Sequence, residues 1–143
     1  MNKRAGFTLL ELLVVILIIT ILGAVVGVKL AGKPDEARRA AAVAQIENCR
    51  LALKLYRMDN GVLPTQRQGL QALVEASPLD PKPARFPKEG YLERRTLPLD
   101  PWGNDYVYLI PGSRGEAYEV ICYGRDGEPG GLDEDADISS VDL

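Results

Sequence analysis

The hydrophobic positions of this chain fall into three regimes. From Phe7 to Val28 it reads FTLLELLVVILIITILGAVVGV, almost wholly apolar and broken by a single charge, Glu11. About 22 residues form a helix roughly 33 Å long, enough to cross a bilayer. A cleaved secretory signal has an apolar core of only about 7 to 15 residues before a small-residue cleavage site, and this run is too long for one. A simple one-pass anchor leaves Glu11 unexplained. A carboxylate in hydrocarbon costs on the order of 2.5 to 3.5 kcal/mol, so it calls for a positive partner at the same depth.

The second regime is amphipathic. Gly23, Gly27, Gly32 and Pro34 are expected to loosen or bend the helix, after which DEARRAAAVAQIENCRLALKLYRMDN resumes it with acids first and alanine-rich turns next. Ile46, Cys49, Leu53 and Tyr56 recur at three and four, one apolar stripe that needs a sheet or helix to cover it, while Glu47, Arg50, Lys54 and Arg57 lie away from it. Asn60-Gly61 closes the helix and Pro64 blocks its continuation. Unbroken, the two helical regimes would span roughly 80 Å over about 53 residues.

The third regime is mixed. Gln68 to Glu75 predicts a short helix with Leu70, Leu73 and Val74 facing inward. The proline-rich stretch from Leu79 to Asn104 predicts an irregular surface loop anchored by Trp102, the single tryptophan. DYVYLIPG and EAYEVICYG, joined through Pro111-Gly112-Ser113-Arg114-Gly115, alternate as an antiparallel hairpin does, with Tyr118, Val120 and Cys122 on one face. A helix on a small antiparallel sheet is an α+β head.

Composition removes several functions. The chain has 143 residues, a net charge of -3 and no histidine, which takes away the commonest general base and transition-metal ligand. Ser77, Ser113, Ser139 and Ser140 sit in no nucleophile elbow, and no glycine-rich phosphate loop is present. Nucleic-acid binding lacks its clustered basic surface. An enzyme is therefore not expected. Cys49 and Cys122 are compatible with a disulfide or with two buried thiols, because pairing requires Cα atoms within about 7 Å. Asp126 to Asp142 holds seven acids and no Lys or Arg. It reads either as a solvated acidic tail or, since Gly127, Gly130 and Gly131 permit tight turns, as a hard-oxygen cation site suited to calcium. Its spacing is not that of an EF-hand, and a single Gly-Gly-x-Asp-x-Asp is not a β-roll.

Lys3-Arg4-Ala5-Gly6 followed by Phe7-Thr8-Leu9-Leu10-Glu11 resembles the class III signal of type IV pilins and pseudopilins. The resemblance implies that a prepilin peptidase cuts after Gly6 and methylates the new amine of Phe7, and that Glu11 neutralises the Phe7 amine of a neighbouring copy during assembly. It also implies a cytoplasmic N-terminus, which charge alone leaves undecided, since Lys29, Lys33, Arg38 and Arg39 follow the apolar run just as Lys3 and Arg4 precede it. GVLPT, QGLQALVE, GYLERRTLPLDPWGNDYVYLIPG and YGRDGEPGGLDEDADI narrow this to a likeness with the major pseudopilins of the type II secretion pathway, with Asp100-Pro101-Trp102-Gly103-Asn104 the most specific segment and Asp105 a departure from an expected proline.

The resemblance implies a type IV pilin-like fold: a leader over 1–6, a transmembrane and polymerisation helix over 7–31, and a periplasmic head over 32–143 with a calcium loop at 123–138. It implies structural calcium on Asp126 and Asp133, then Asp135, with the Tyr123 carbonyl; Glu134 and Asp137 rank below these. The implied role is that of a non-enzymatic fibre subunit, held in the bacterial inner membrane and polymerising with identical copies in the periplasm to export folded proteins. Minor pseudopilins, inner-membrane assembly proteins and the prepilin peptidase are the implied partners. A surface pilin for adhesion, motility or DNA uptake is the alternative within the same architecture, and a membrane-anchored calcium-binding or enzymatic domain the alternative outside it.

Overall fold

The computed structural model describes residues 8–30 and 33–143, with side chains described over 8–22 and 34–143. The chain divides into two units, Met1–Glu36 and Ala37–Leu143.

In the first unit helix α1 spans Leu9–Leu30. Thr8 caps it, its Oγ1 accepting the Glu11 backbone N–H at 3.3 Å, so Thr8 and Glu11 stand in the Ser/Thr-x-x-Glu spacing that favours a helix start. Gly23 and Gly27 do not end the helix. Every leucine, isoleucine and valine from Leu9 to Leu22 is exposed, from 83% at Leu9 to 44% at Val14. Consecutive exposed positions cover all faces. Among the described residues no helix is long and apolar enough to cross a membrane. The junction that would join α1 to the next helix, residues 31–32, lies outside the described residues.

Helix α2 spans Lys33–Asn60. Its stripe is buried as the spacing predicts: Ile46, Cys49, Leu53 and Tyr56 are each at most 1% exposed, joined by Ala42 and Ala52. Gly61, at φ 75°, ends the helix, and its N–H returns to the Arg57 carbonyl at 2.8 Å. The expected short helix is a 3-10 turn over Leu70–Leu73 only. It does not begin at Gln68 because the next residue, Gly69, takes φ 59° and ψ -166°, outside the helical region; Gln68 itself is buried and spends its side chain on a tertiary contact. Its Oε1 accepts the Thr65 N–H, and its Nε2 donates to the Leu79 and Pro81 carbonyls, tying the proline-rich loop to the head.

The hairpin forms, with shorter strands than the alternating runs predicted. Strands β1 (Val107–Leu109) and β2 (Glu119–Cys122) pair antiparallel, Tyr108 opposite Val120. A third strand, β3 (Ile138–Ser139), pairs antiparallel with the other edge of β2, giving the order β1-β2-β3. Tyr106, Tyr108, Val120, Cys122 and Ile138 meet the α2 stripe in one core, against which Tyr118, Tyr91 and Trp102 pack half-buried. The Tyr106 hydroxyl also donates to Gln45 of α2 at 2.5 Å. The head is thus α+β, a helix packed on a small antiparallel sheet.

Candidate functional site

The cleavage residues Gly6 and Phe7 lie outside the described residues. Glu11 is described, in the first turn of α1. An acid there is favoured by the partial positive charge of the helix N-terminus. Locally, then, the sequence starts a helix in which one carboxylate projects from an apolar, exposed surface.

The expected calcium loop follows β2. Gly124, Gly127, Gly130 and Gly131 all take positive φ, and Asp133, at φ 55°, is the one non-glycine to do so among the described residues. Two of these glycines are required by close approach. A Cβ on Gly124 would sit 2.7 Å from the Asp135 carbonyl oxygen, and one on Gly131 would sit 2.5 Å from it. The loop therefore curls back so tightly that its second limb, a 3-10 turn over Asp133–Asp135, lies on the glycines of its first. The Arg125 N–H donates to the Glu134 carbonyl at 3.1 Å and so joins the two limbs.

The acids of this loop have unequal partners. Asp135 receives Arg125 in a fork, Nε to Oδ1 at 3.1 Å and Nη2 to Oδ2 at 3.3 Å, and the same guanidinium reaches Glu134 through Nη1. Both oxygens of Asp137 accept the Gly130 N–H at 3.0 Å. The Asp126 carboxylate accepts the Glu128 N–H at 3.1 Å. Arg39 of α2 donates from Nη1 to the Asp133 and Ala136 carbonyls, each at 3.0 Å. Among the described residues, no three His, Cys, Asp or Glu side chains come together to hold a metal. The donor chemistry suits calcium, which accepts carbonyl oxygens beside carboxylates. Asp126 and Asp133 are exposed and carry no cationic side-chain partner among the described residues, whereas Asp135 and Glu134 are occupied by Arg125.

Two buried acids escaped sequence reasoning. Asp100, 5% exposed, accepts the Trp102 and Asn104 N–H groups at 2.9 and 2.8 Å and the Cys122 thiol at 3.2 Å. Glu119, 3% exposed, accepts the Ser139 hydroxyl at 2.5 Å and the Ser113 N–H at 2.8 Å. Burial pushes the Glu119 carboxyl up, but the hydrogen bonds from Ser113 and Ser139 outweigh it, so the group ends below its ordinary range. Cys49 and Cys122 are both free and buried. Burial raises the Cys49 thiol to about 11, and burial with the Asp100 contact raises Cys122 to about 12. Thiols held so far toward the protonated form are poor nucleophiles.

With this geometry in view, likeness to known proteins becomes informative. Residues 1–27 match the prokaryotic N-terminal methylation motif and residues 29–141 match the family of type II secretion system protein G. The chain is 42% identical to the type II secretion system core protein G of Pseudomonas aeruginosa, covering 99% of this chain and 97% of that one. It is 45% identical to the Vibrio cholerae core protein G over 100% and 95% of the two chains. Against that of Escherichia coli K12 the figures are 47% identity over 93% and 90%. A crystal structure of the major pseudopilin of the type 2 secretion system of enterohaemorrhagic Escherichia coli superimposes with a TM-score of 0.66 at 38% identity, covering 80% of this chain and 95% of that one. These relatives favour the secretion reading over the surface-pilin alternative. The chain belongs to the family of type II secretion system protein G.

Proposed function

We propose that the chain is a structural subunit of the type II secretion pseudopilus, anchored by α1 in the inner membrane and polymerising through α1 into a periplasmic fibre that helps move folded proteins across the outer membrane. The observation that carries this is α1 itself, whose apolar side chains are exposed from Leu9 to Leu22. At about 25 cal/mol per Å² of apolar surface, leaving such a helix in water is untenable. Hydrocarbon and the α1 helices of identical copies are equally good covers. A subunit can therefore pass from membrane to fibre without exposing this surface to water.

Cleavage after Gly6 would leave a positive amine on Phe7, four residues before Glu11 in sequence. In a fibre core of low dielectric, that amine on one copy and the Glu11 carboxylate on its neighbour would attract by about 4 kcal/mol at 4 Å and an effective dielectric of 20. The pair would set the stagger between copies. Methylation of the Phe7 amine keeps its charge. In cells, short-range crosslinking of the full chain is expected to give a ladder of homo-oligomers that disappears when the prepilin peptidase is removed. A monomer band alone would sink the fibre reading.

Asp126 and Asp133, with the Tyr123 carbonyl, are the oxygens proposed to hold calcium. Asp135 joins them only by turning away from Arg125. Bound there, the ion would neutralise acids in a loop that has little apolar core of its own. The check is a thermal melt of the full chain in detergent, followed by Trp102 fluorescence in chelator, then with calcium or magnesium. An upward shift with calcium alone is expected, and equal melting in all three returns the loop to a solvated acidic tail.

A further inference from the structure

Asp100 is a buried acid that no ion pair reaches among the described residues. Its Oδ1 takes the Trp102 and Asn104 N–H groups, which closes the 100–104 turn, and its Oδ2 has one donor, the Cys122 thiol at 3.2 Å. That thiol has a competing partner in the same core, Cys49, at 1% exposure against 0% for Cys122. Tyr106 neighbours both. The β1–β2 register, Val107 opposite Ile121, carried one residue further sets Tyr106 opposite Cys122. The Tyr106 hydroxyl donates to Gln45, about one helical turn before Cys49 on α2. That hydroxyl is raised by burial first and then by Cys122, Asp100 and Cys49, so both thiols are near it.

We propose that Cys49 and Cys122 form a redox-sensitive pair whose dithiol form is held by Asp100. The Cys122 sulfur can donate its proton to Asp100 or bond to Cys49, and it cannot do both. Closing the disulfide breaks two S–H bonds, forms one S–S bond and passes two electrons and two protons to an external disulfide of the glutathione class, which leaves as two thiols. Asp100 is then left with Oδ2 unpaired in the core, and a buried acceptor that loses its donor is costly. Oxidation of the pair is thus coupled to loosening of the 100–104 turn, and the intact turn opposes oxidation. The periplasm of the function proposed above is an oxidising compartment, where such opposition matters; that relevance alone rests on the proposed function.

The test equilibrates the full chain in detergent, at neutral pH, across a series of ratios of oxidised to reduced glutathione, and reads the products by mass spectrometry after thiol alkylation. Loss of two hydrogens marks the internal disulfide, and addition of glutathione marks a mixed one. Asp100→Asn keeps the shape of the side chain and an acceptor for the Trp102 and Asn104 N–H groups. At every ratio its quotient of disulfide to dithiol is expected to be roughly tenfold above that of the unaltered chain. Equal quotients overturn the proposal, and so does a chain that takes up glutathione without ever closing the internal bond. Trp102 emission should shift as the unaltered chain oxidises and stay put in Cys49→Ala, which cannot form the bond. An unmoved emission in the oxidised chain overturns the coupling to the turn. Should Asp100→Asn unfold the head, Cys122→Ser and Cys122→Ala decide. The serine keeps a donor for Asp100 and should melt higher than the alanine, and equal melting overturns the proposal. Polymerisation enters none of these readouts, so failure here leaves the fibre role standing, and loss of the crosslinked ladder leaves the redox pair standing.

Discussion

Helices α1 and α2 are built from similar numbers of residues, 22 and 28, and they solve opposite problems. In α2 the buried side chains keep to one stripe, and the sheet covers it, with Ile46 and Leu53 at 0% exposure. In α1 apolar residues occupy every face, and Leu9 to Leu22 are exposed. One helix is completed by its own chain. The other leaves its apolar side chains uncovered. On the function proposed above, folding of the head and assembly of the fibre are carried by different residues, and a change in one should leave the other intact.

The sharpest break in this contrast comes from Leu53→Ala. Removing a fully buried leucine leaves a cavity, so the head should lose about 2 to 5 kcal/mol of stability in denaturant titration. Leu51→Ala, two residues earlier but 58% exposed, should cost less than about 0.5 kcal/mol. Comparable losses at both positions would mean that α2 is covered differently from what the core implies. Next in size is Glu11→Leu. The head should melt unchanged, while the crosslinked ladder weakens about tenfold, roughly 1.4 kcal/mol of assembly free energy. A normal ladder and normal secretion would remove the charge-pairing role of Glu11.

Alkaline pH should act on the α2 side alone. Cys49 rises from 9.0 to about 11 and Cys122 from 9.0 to about 12. For groups whose folded value lies above the unfolded one, the stability is complete below the unfolded value and is lost as pH climbs through the folded one. The head should therefore weaken progressively from pH 9 toward 12, and Cys49→Ala should flatten the lower part of that slope. A slope indifferent to Cys49 would place the titrating groups elsewhere, the raised Tyr91 hydroxyl near 12 first among them.

Much of this division was legible in the chain. A run with one charge in about 22 residues leaves no polar face to turn outward, and the three-four spacing of Ile46 to Tyr56 announces a face to be covered. The hairpin followed from alternation and turn residues, and its partner across the sheet did not. Strand β3 has two residues, too few for any period. With β3 missing from the sequence picture nothing marked Glu119 as buried, although β3 and the 111–116 turn supply its donors, Ser139 and Ser113. Only the adjacent Ser139 and Ser140 hinted that a buried acid needed hydroxyls. In the acidic loop the tight turns were readable from glycines. The grip of Arg39 on Asp133, 94 residues away, was not, because a local pattern carries no information on which distant side chain will arrive. The Gln68–Glu75 helix failed on a local feature instead: Gly69 takes a left-handed φ of 59°, so the helix does not run through it from Gln68.

The sheet has a further consequence for a protein that must crowd copies of itself side by side. Its two outer strands, β1 and β3, have three and two residues. Strand edges present unpaired N–H and C=O groups that can template pairing with another molecule, and brevity is one of the ways natural proteins blunt them. Heads brought together at the density of a fibre thus offer each other almost no ribbon to extend. On the function proposed above, growth is then left to the helices, with little strand edge available for an amyloid-like stack.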